Sequence, residues 1–195
     1  MSFFEHACRV PMIVSGPKVS AGERQGAHVS LLDLAPTLLH VAGAGQPDEM
    51  DGTSLVPLFD GRLDHERTVV GEYLGVGAAA PIFMLRRGRW KFVWSQPDGA
   101  QLYDLENDPR ELMNLVGDAD HTDIVADFTM EVLRRWDPGA IDRDVRRSQR
   151  ARAVVDRAMR SGRFAGWDFQ PTTDAANQYM RNHLDLNDVE AGRRA

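Results

Sequence analysis

Two strand-like runs in the middle of the sequence are separated by a three-residue connection that contains a glycine. Ile82 to Arg86 and Trp90 to Ser95 are rich in β-branched and aromatic residues, and Arg87-Gly88-Arg89 joins them. Two such runs joined by a short glycine-containing connection are typical of a β-hairpin. Thr68 to Leu74 before the hairpin and Gln101 to Leu105 after it have similar character. The pattern predicts a small antiparallel sheet.

The N-terminal part has the alternation of strand and helix that marks an α/β fold. Val10 to Val14 is a short apolar run closed by Ser15-Gly16-Pro17, which predicts a buried strand that ends in a turn. Asp33 as N-cap, Pro36 in the first turn and Gly43 as C-cap predict a short helix.

The character of the sequence changes after Leu115, where polar helical patterns replace strands. Helices are predicted from about Thr122 to Trp136, from Pro138 to Arg160, and from Asp174 to His183. A boundary near residue 117 would separate an α/β body, residues 1–117, from a helical extension, residues 118–195.

Composition excludes several classes of function. The 195 residues carry a net charge of −6, with 43% hydrophobic and 27% charged residues, which is close to the average for globular proteins. Mild acidity gives no electrostatic case for nucleic acid or an anionic membrane surface. No stretch approaches the roughly 20 apolar residues that span a bilayer. A single cysteine, Cys8, excludes an internal disulfide and fits a cytoplasmic location.

Motifs for metal binding and nucleophilic catalysis are missing from the sequence. The six histidines, at positions 6, 28, 40, 65, 121 and 183, lack metal-ligand spacing, so no metal site is predicted in this segment. Cys8 beside Arg9 is either an activated thiol or a small packing residue, and the second interpretation is favoured because free cysteines are commonly buried.

Two features of the C-terminal part leave alternatives open. The arginine-rich stretch from Arg134 to Arg163 could contact nucleic acid, but apolar residues near helical spacing favour a helix with one packed face and one basic face that is solvated or contacts another subunit. An aromatic cluster, Trp167, Phe169 and Tyr179, precedes Asp185. Rings with a carboxylate suit a quaternary ammonium, whereas the alternative is a docking segment that buries its rings.

Several local sequences resemble the sulfatase family in one consistent order. The matching segments are Phe3 to Pro11 followed by Ile13 to Pro17, then Val29 to Leu39, Asp51 to Leu55, and Leu102 to Pro109. In the tail, Trp167-Asp168-Phe169-Gln170-Pro171 and Tyr179 to Asn187 are similar to the C-terminal extension of choline-sulfatases. The resemblance covers essentially the whole chain and implies the C-terminal part of an alkaline-phosphatase-like α/β fold.

The same resemblance implies an activity and its cofactors. Choline-sulfatases hydrolyse choline sulfate to choline and sulfate, with a formylglycine made from a Cys-x-Pro-Ser-Arg cysteine and calcium or a similar divalent ion. Cys8 is followed by Arg9-Val10-Pro11, so it does not fit that motif. We therefore expect no catalytic residue in this segment, no metal or cofactor bound by the segment alone, an inactive isolated chain, and a homo-oligomer formed through the extension.

Two carboxylates match choline-recognition positions of the family. Glu72 in Gly71-Glu72-Tyr73 matches a glutamate that faces the trimethylammonium group, and Asp185 matches an aspartate that a tail delivers to a neighbouring subunit. The alternatives are a solvent-facing strand residue and a charge at a helix end. At the level of function, the alternatives are another sulfatase or a phosphonate monoester hydrolase, or a non-catalytic truncated interaction module.

Overall fold

The computed structural model describes residues 3–59, 67–75 and 77–162. The strands are β1, Val69–Tyr73; β2, Ile82–Arg87; β3, Trp90–Ser95; and β4, Gly99–Asp104. The α-helices are α1, Glu5–Cys8; α2, Leu34–Val41; α3, Val56–Phe59; α4, Thr122–Arg135; and α5, Pro138–Ser161, with short 3-10 helices at Leu31–Asp33 and Ala119–His121. None of the helices in these ranges is long and apolar enough to cross a membrane.

The four strands form one antiparallel sheet in the order β1-β2-β3-β4. The predicted hairpin is confirmed, but its turn is one residue shorter than the sequence suggested, because Arg87 pairs with Trp90 across β2 and β3. Gly88 adopts a φ of 52° in this turn, a conformation that glycine reaches without the steric cost of a Cβ. The outer strands β1 and β4 are also confirmed.

One face of the sheet packs on α4 and forms the apolar core. Phe83, Leu85, Phe92 and Leu102 of the sheet are fully buried against Phe128 and Val132 of α4. The rings of Phe92 and Phe128 stack with centroids 5.4 Å apart. Burial of each such side chain contributes about 1.5–3 kcal/mol, so this layer fixes α4 on the sheet.

The predicted strand from Val10 to Val14 is wrong. These residues form no strand and pair with no strand of the described chain, and Ile13 is 93% exposed. A β-strand needs a neighbouring strand to satisfy its peptide groups, and the run finds none within the described ranges. An apolar run shows only that a segment favours burial.

The predicted short helix is present as α2, although Asp33 does not cap it through its side chain. Asp33 Oδ2 instead accepts a hydrogen bond from the Ser30 backbone N–H at 2.7 Å, and Ser30 Oγ accepts one from Leu32, so Ser30 and Asp33 form a capping box. Gly43 follows α2 with a φ of 66°, as a C-terminal glycine should.

Asp33 also joins α2 to the segments that follow it. Its Oδ1 accepts hydrogen bonds from the Thr53 N–H at 2.9 Å and from Arg67 Nη2 at 2.6 Å. Burial raises the pKa of this carboxyl, but hydrogen bonds from Arg67 and from the N–H groups of Ser30 and Thr53 outweigh that effect and hold the pKa below its usual range. A buried, ionised Asp33 is thus matched by hydrogen-bond donors on three sides.

The chain forms two compact units whose boundary lies between Val145 and Arg146, whereas the sequence predicted a boundary near residue 117. One unit comprises Met1–Val145 and the other Arg146–Ala195, and α5 spans the division. The first unit includes α4 together with the sheet. The proposed boundary near residue 117 stays a prediction, and the predicted helix from Asp174 to His183 lies outside the described residues.

Substitution of Gly52 tests the close approach of the two segments that Asp33 joins. A Cβ at Gly52 would overlap the backbone carbonyl of Leu32, which cannot swing away as a side chain can. Gly52→Ala should lower the free energy of unfolding by about 2–3 kcal/mol, measured by urea denaturation. Gly45→Ala is the matched control, because a Cβ at Gly45 meets nothing within 4 Å. Equal stability of the two variants would contradict the close contact.

Candidate substrate-recognition site at the sheet edge

Glu72, one of the two predicted recognition residues, lies on the edge strand β1. It pairs with Phe83 of β2, so the alternation of side chains along the strands places it on the face that carries α4. Glu72 is exposed, and its Oε1 accepts a hydrogen bond from Trp136 Nε1 at 2.7 Å. A carboxylate is therefore held in a defined place at the rim of the apolar core.

Trp136 follows the last residue of α4 and is held there by its own backbone. Its N–H donates to the Val132 carbonyl at 3.0 Å, and its φ and ψ of −130° and 150° end the helix. The indole ring stacks on Phe83 with centroids 4.6 Å apart, and Phe83 in turn lies 6.3 Å from Trp94. The result is a row of three aromatic rings with the Glu72 carboxylate at one end.

The exposed Glu72 carboxylate and the partly exposed Trp136 ring are two groups of the kind that attract a quaternary ammonium ion. Such a cation has no N–H donor, so ring faces and nearby negative charge are what can hold it. The sequence supplied no signal that Trp136 belongs beside Glu72, because 64 residues separate the two. Asp185, the second predicted recognition residue, lies outside the described residues together with Trp167, Phe169 and Tyr179, so its delivery to a neighbouring subunit stays a prediction.

The opposite face of the sheet borders a cavity of about 330 Å³. Its lining is mostly apolar and includes Phe3, Phe4, Tyr73, Val93 and Tyr103. Glu72 also borders this cavity, although its carboxylate binds Trp136 on the other face. Glu72 therefore lies between the apolar cavity and the aromatic row.

A buried charge cluster lies next to this cavity and was not predicted. Lys91 Nζ contacts Glu5 Oε1 at 2.6 Å, Glu111 Oε1 at 2.8 Å and the Phe3 carbonyl at 2.6 Å. The side chains of Lys91 and Glu111 are each 1% exposed. Glu111 has a φ of 56° and also accepts the Glu5 N–H at 2.6 Å. The cluster fastens the N-terminal segment to the sheet.

The cysteine is a packing residue of the same cluster. The Cys8 thiol donates to the Phe3 carbonyl at 3.1 Å. Burial raises the pKa of this thiol, and the nearby Lys91 opposes the rise without cancelling it. A raised pKa reduces the thiolate fraction, which favours the packing interpretation over an activated nucleophile.

The basic turn of the hairpin is neutralised by carboxylates. Arg87 Nη1 contacts Glu131 at 2.9 Å and its Nη2 contacts Asp127, while Arg89 Nε donates to Asp104 at 2.8 Å. Arg89 also lowers the pKa of the Asp104 carboxyl. The turn therefore carries structural ion pairs and does not present unpaired guanidinium groups to an anion.

The arginine-rich helix is only partly packed. Ile141 packs against the core, whereas Val154, Val155 and Met159 are about half exposed within the described part of α5. Its expected packed face is therefore confirmed at Ile141 and not at the other three positions.

The side chains that the structure describes do not fit the implied cofactors. Across residues 3–59, 67–75 and 77–162, no three His, Cys, Asp or Glu side chains group in a way that could hold a metal ion. Cys8, as noted above, lacks the formylglycine motif. We assign no step of a reaction to calcium or formylglycine on these residues.

Two family models together match nearly the whole chain. Residues 2–136 match N-sulphoglucosamine sulphohydrolase, C-terminal, and residues 143–194 match Choline sulfatase enzyme C terminal. Choline-sulfatase of Rhizobium meliloti (strain 1021) is 39% identical over 201 residues, which cover 100% of this chain and 39% of that protein. Arylsulfatase K of Homo sapiens is 36% identical over 127 residues, which cover 59% of this chain and 24% of that protein.

Solved structures give the same relationship. A putative sulfatase from Bacteroides thetaiotaomicron superposes with a TM-score of 0.53 at 30% identity, over 60% of this chain and 27% of that one. A 2-O GAG sulfatase superposes with a TM-score of 0.54 at 29% identity, over 62% of this chain and 28% of that one. The α/β fold class of the alkaline-phosphatase-like sulfatases is confirmed.

The chain belongs to the sulfatase family. More particularly, the match of residues 143–194 and the full coverage by a choline-sulfatase confirm the resemblance to the C-terminal part of choline-sulfatases. The chain spans 39% of the length of that choline-sulfatase and 24% of the length of the human arylsulfatase K.

Removal of the buried Lys91 charge tests the cluster that holds the N-terminal segment. In Lys91→Met, Glu5 and Glu111 would lie together without a cation, so we expect a loss of about 3–5 kcal/mol in the free energy of unfolding. The matched control is Arg160→Met, because Arg160 pairs with Asp156 on an exposed helix surface, where an ion pair contributes about 0–1 kcal/mol. Chemical denaturation measures both. A Lys91→Met variant as stable as the control would rule out the cluster as an anchor.

Proposed function

We propose that this chain is the C-terminal part of a sulfuric ester hydrolase that cleaves choline sulfate to choline and sulfate. In this proposal the chain supplies choline recognition and subunit contacts, and the nucleophile and metal ligands come from the part of the enzyme that relatives carry outside the matched region. The observation that supports it most directly is the exposed Glu72 carboxylate at the end of the Trp136–Phe83–Trp94 row.

The division of labour follows from the charges of the substrate. Choline sulfate carries a permanent cation at one end and the sulfate ester at the other. Glu72 is proposed to attract the cation through charge, which at a distance of about 4 Å amounts to about 1–4 kcal/mol near a protein surface. Asp185 is proposed as the second carboxylate, delivered by the extension of a neighbouring subunit. Hydrolysis then adds water across the S–O bond and releases choline and sulfate.

The nearest alternative is a sulfatase for a different ester. The 2-O GAG sulfatase among the structural relatives has a name that indicates a glycosaminoglycan ester. A carboxylate at Glu72 disfavours an anionic polysaccharide at this edge, because like charges repel. A cytoplasmic location stays a prediction.

Selectivity for the cation tests the proposal. We expect a chimera, in which this chain replaces the matched 39% of the Rhizobium meliloti choline-sulfatase, to hydrolyse choline sulfate faster than its neutral isostere 3,3-dimethylbutyl sulfate. Glu72→Gln should lower kcat/KM for choline sulfate about tenfold, mostly through KM, and leave the neutral ester within about twofold, since only the charged ester loses an attraction. Steady-state sulfate release measures both.

Asp98→Asn is the matched control for that experiment. It removes the same unit of charge from an exposed position in the β3–β4 turn. We expect Asp98→Asn to leave kcat/KM unchanged for both esters. A wild-type chimera that hydrolyses both esters equally would contradict choline recognition, and sulfate release by the 195-residue chain alone would contradict the division of labour.

Subunit contacts are proposed to involve the end of the extension, residues 163–195, together with the exposed apolar residues of α5. Val154, Val155 and Met159 lie on this helix and are each about half exposed. Deletion of residues 163–195 should therefore reduce the molar mass in solution from an oligomer to a monomer, as measured by light scattering. Thermal unfolding is the control, since the sheet and α4 lie outside the deletion. An unchanged number of subunits would contradict this role.

A further inference from the structure

We propose that Trp136 is a positioning residue for cation recognition, which acts by holding the Glu72 carboxylate in one orientation. This inference rests on the proposed function, because it assigns Trp136 a role at the same site. The main support is the hydrogen bond that Trp136 Nε1 donates to Glu72 Oε1 at 2.7 Å. It joins the end of α4 to the edge strand of the sheet.

An exposed glutamate on an edge strand has no fixed orientation of its own. Its side chain has three rotatable bonds, and freezing them costs conformational entropy each time a ligand binds. A hydrogen bond from a held donor removes that cost before the ligand arrives. Among the described residues, Trp136 donates the sole hydrogen bond to the Glu72 side chain.

The donor itself is held by the apolar core. The indole stacks on Phe83 at 4.6 Å, and Phe83 is fully buried between the sheet and α4. The backbone N–H of Trp136 is fixed by the Val132 carbonyl, and Val132 is fully buried in the same core. Two anchors therefore set the direction of the indole N–H.

The hydrogen bond leaves the carboxylate able to meet a cation. Trp136 engages Oε1, and Oε2 makes no hydrogen bond within the described part of the chain. The indole is neutral, so it orients the carboxylate without neutralising its negative charge. An arginine or lysine in its place would form an ion pair with the carboxylate. A neutral donor thus suits a carboxylate whose task is to attract a ligand cation.

A purely structural role predicts different behaviour. If Trp136 served only to end α4 and cover Phe83, its loss would lower stability and affect every substrate alike. A positioning role acts through the charge of Glu72, so it changes the preference for a cationic ester and disappears when that charge is absent. Selectivity and non-additivity therefore separate the two roles.

The kinetic test uses the chimera and the ester pair described above. Trp136→Phe keeps an aromatic ring against Phe83 and removes the N–H donor. We expect it to lower the preference for choline sulfate over 3,3-dimethylbutyl sulfate about threefold to tenfold, mainly through KM, because it forfeits part or all of the about tenfold attraction expected from the Glu72 charge. In the Glu72→Gln background the same change should have no further effect on the preference.

Trp90→Phe is the matched control. Trp90 also packs against the apolar core, with its ring 5.3 Å from that of His121, and no carboxylate accepts a hydrogen bond from its indole within the described residues. It should leave the preference unchanged. The positioning role would be overturned if Trp136→Phe lowered kcat/KM equally for both esters. It would also be overturned if Trp136→Phe lowered the preference for choline sulfate as much in the Glu72→Gln background as in the wild type.

A second measurement works on the 195-residue chain and does not depend on activity. The indole N–H resonance of Trp136, assigned by its loss in Trp136→Phe, should move in the nitrogen-15 spectrum of Glu72→Gln and remain in place in Asp98→Asn. A resonance that does not respond to Glu72→Gln would overturn the inference even if the chimera failed to fold. A chimera without preference for choline sulfate, combined with a responsive resonance, would refute the proposed function and with it the role of Trp136 in recognition.

Discussion

The packing of α4 on one face of the sheet is the interaction on which the rest of the structure depends. Phe83, Phe92 and Phe128 meet in that layer and are completely withdrawn from water. Two outcomes follow from this contact: the strands acquire a common buried face, and the side chain of Trp136, which follows α4, reaches the edge strand. Glu72 and Trp136 meet for that reason, although they belong to different elements. The proposed recognition residue Glu72, on an edge strand, is thereby linked to the packing of the core.

Much of the sheet could be predicted from the sequence, because runs of β-branched and aromatic residues and a glycine at a turn are local signals. All four strands lie close to their predicted bounds, and the hairpin turn differs by one residue. The run from Val10 to Val14 misled for a related reason. Its apolar character indicates a preference for burial. A strand also needs a neighbouring strand to pair with, and the sequence of the run does not show whether one is present.

The candidate site was predictable only where a motif carried it. The resemblance of Gly71-Glu72-Tyr73 to sulfatases pointed to Glu72, whereas Trp136 had appeared merely as the end of a helix. The buried cluster of Lys91, Glu5 and Glu111 was missed as well, because its members come from three distant segments. Only the tertiary structure shows that a lysine within a strand can be enclosed by two carboxylates.

The position of Cys8 makes this chain suited to kinetic measurements of local opening. The thiol is the single one in the sequence, and it lies half-buried beside the Lys91 cluster with a raised pKa. An alkylating reagent reacts with thiolate, so partial burial and the raised pKa slow the modification of Cys8 while the N-terminal segment stays on the sheet. A substitution that detaches the segment should therefore raise the alkylation rate, which can be followed without any engineered label.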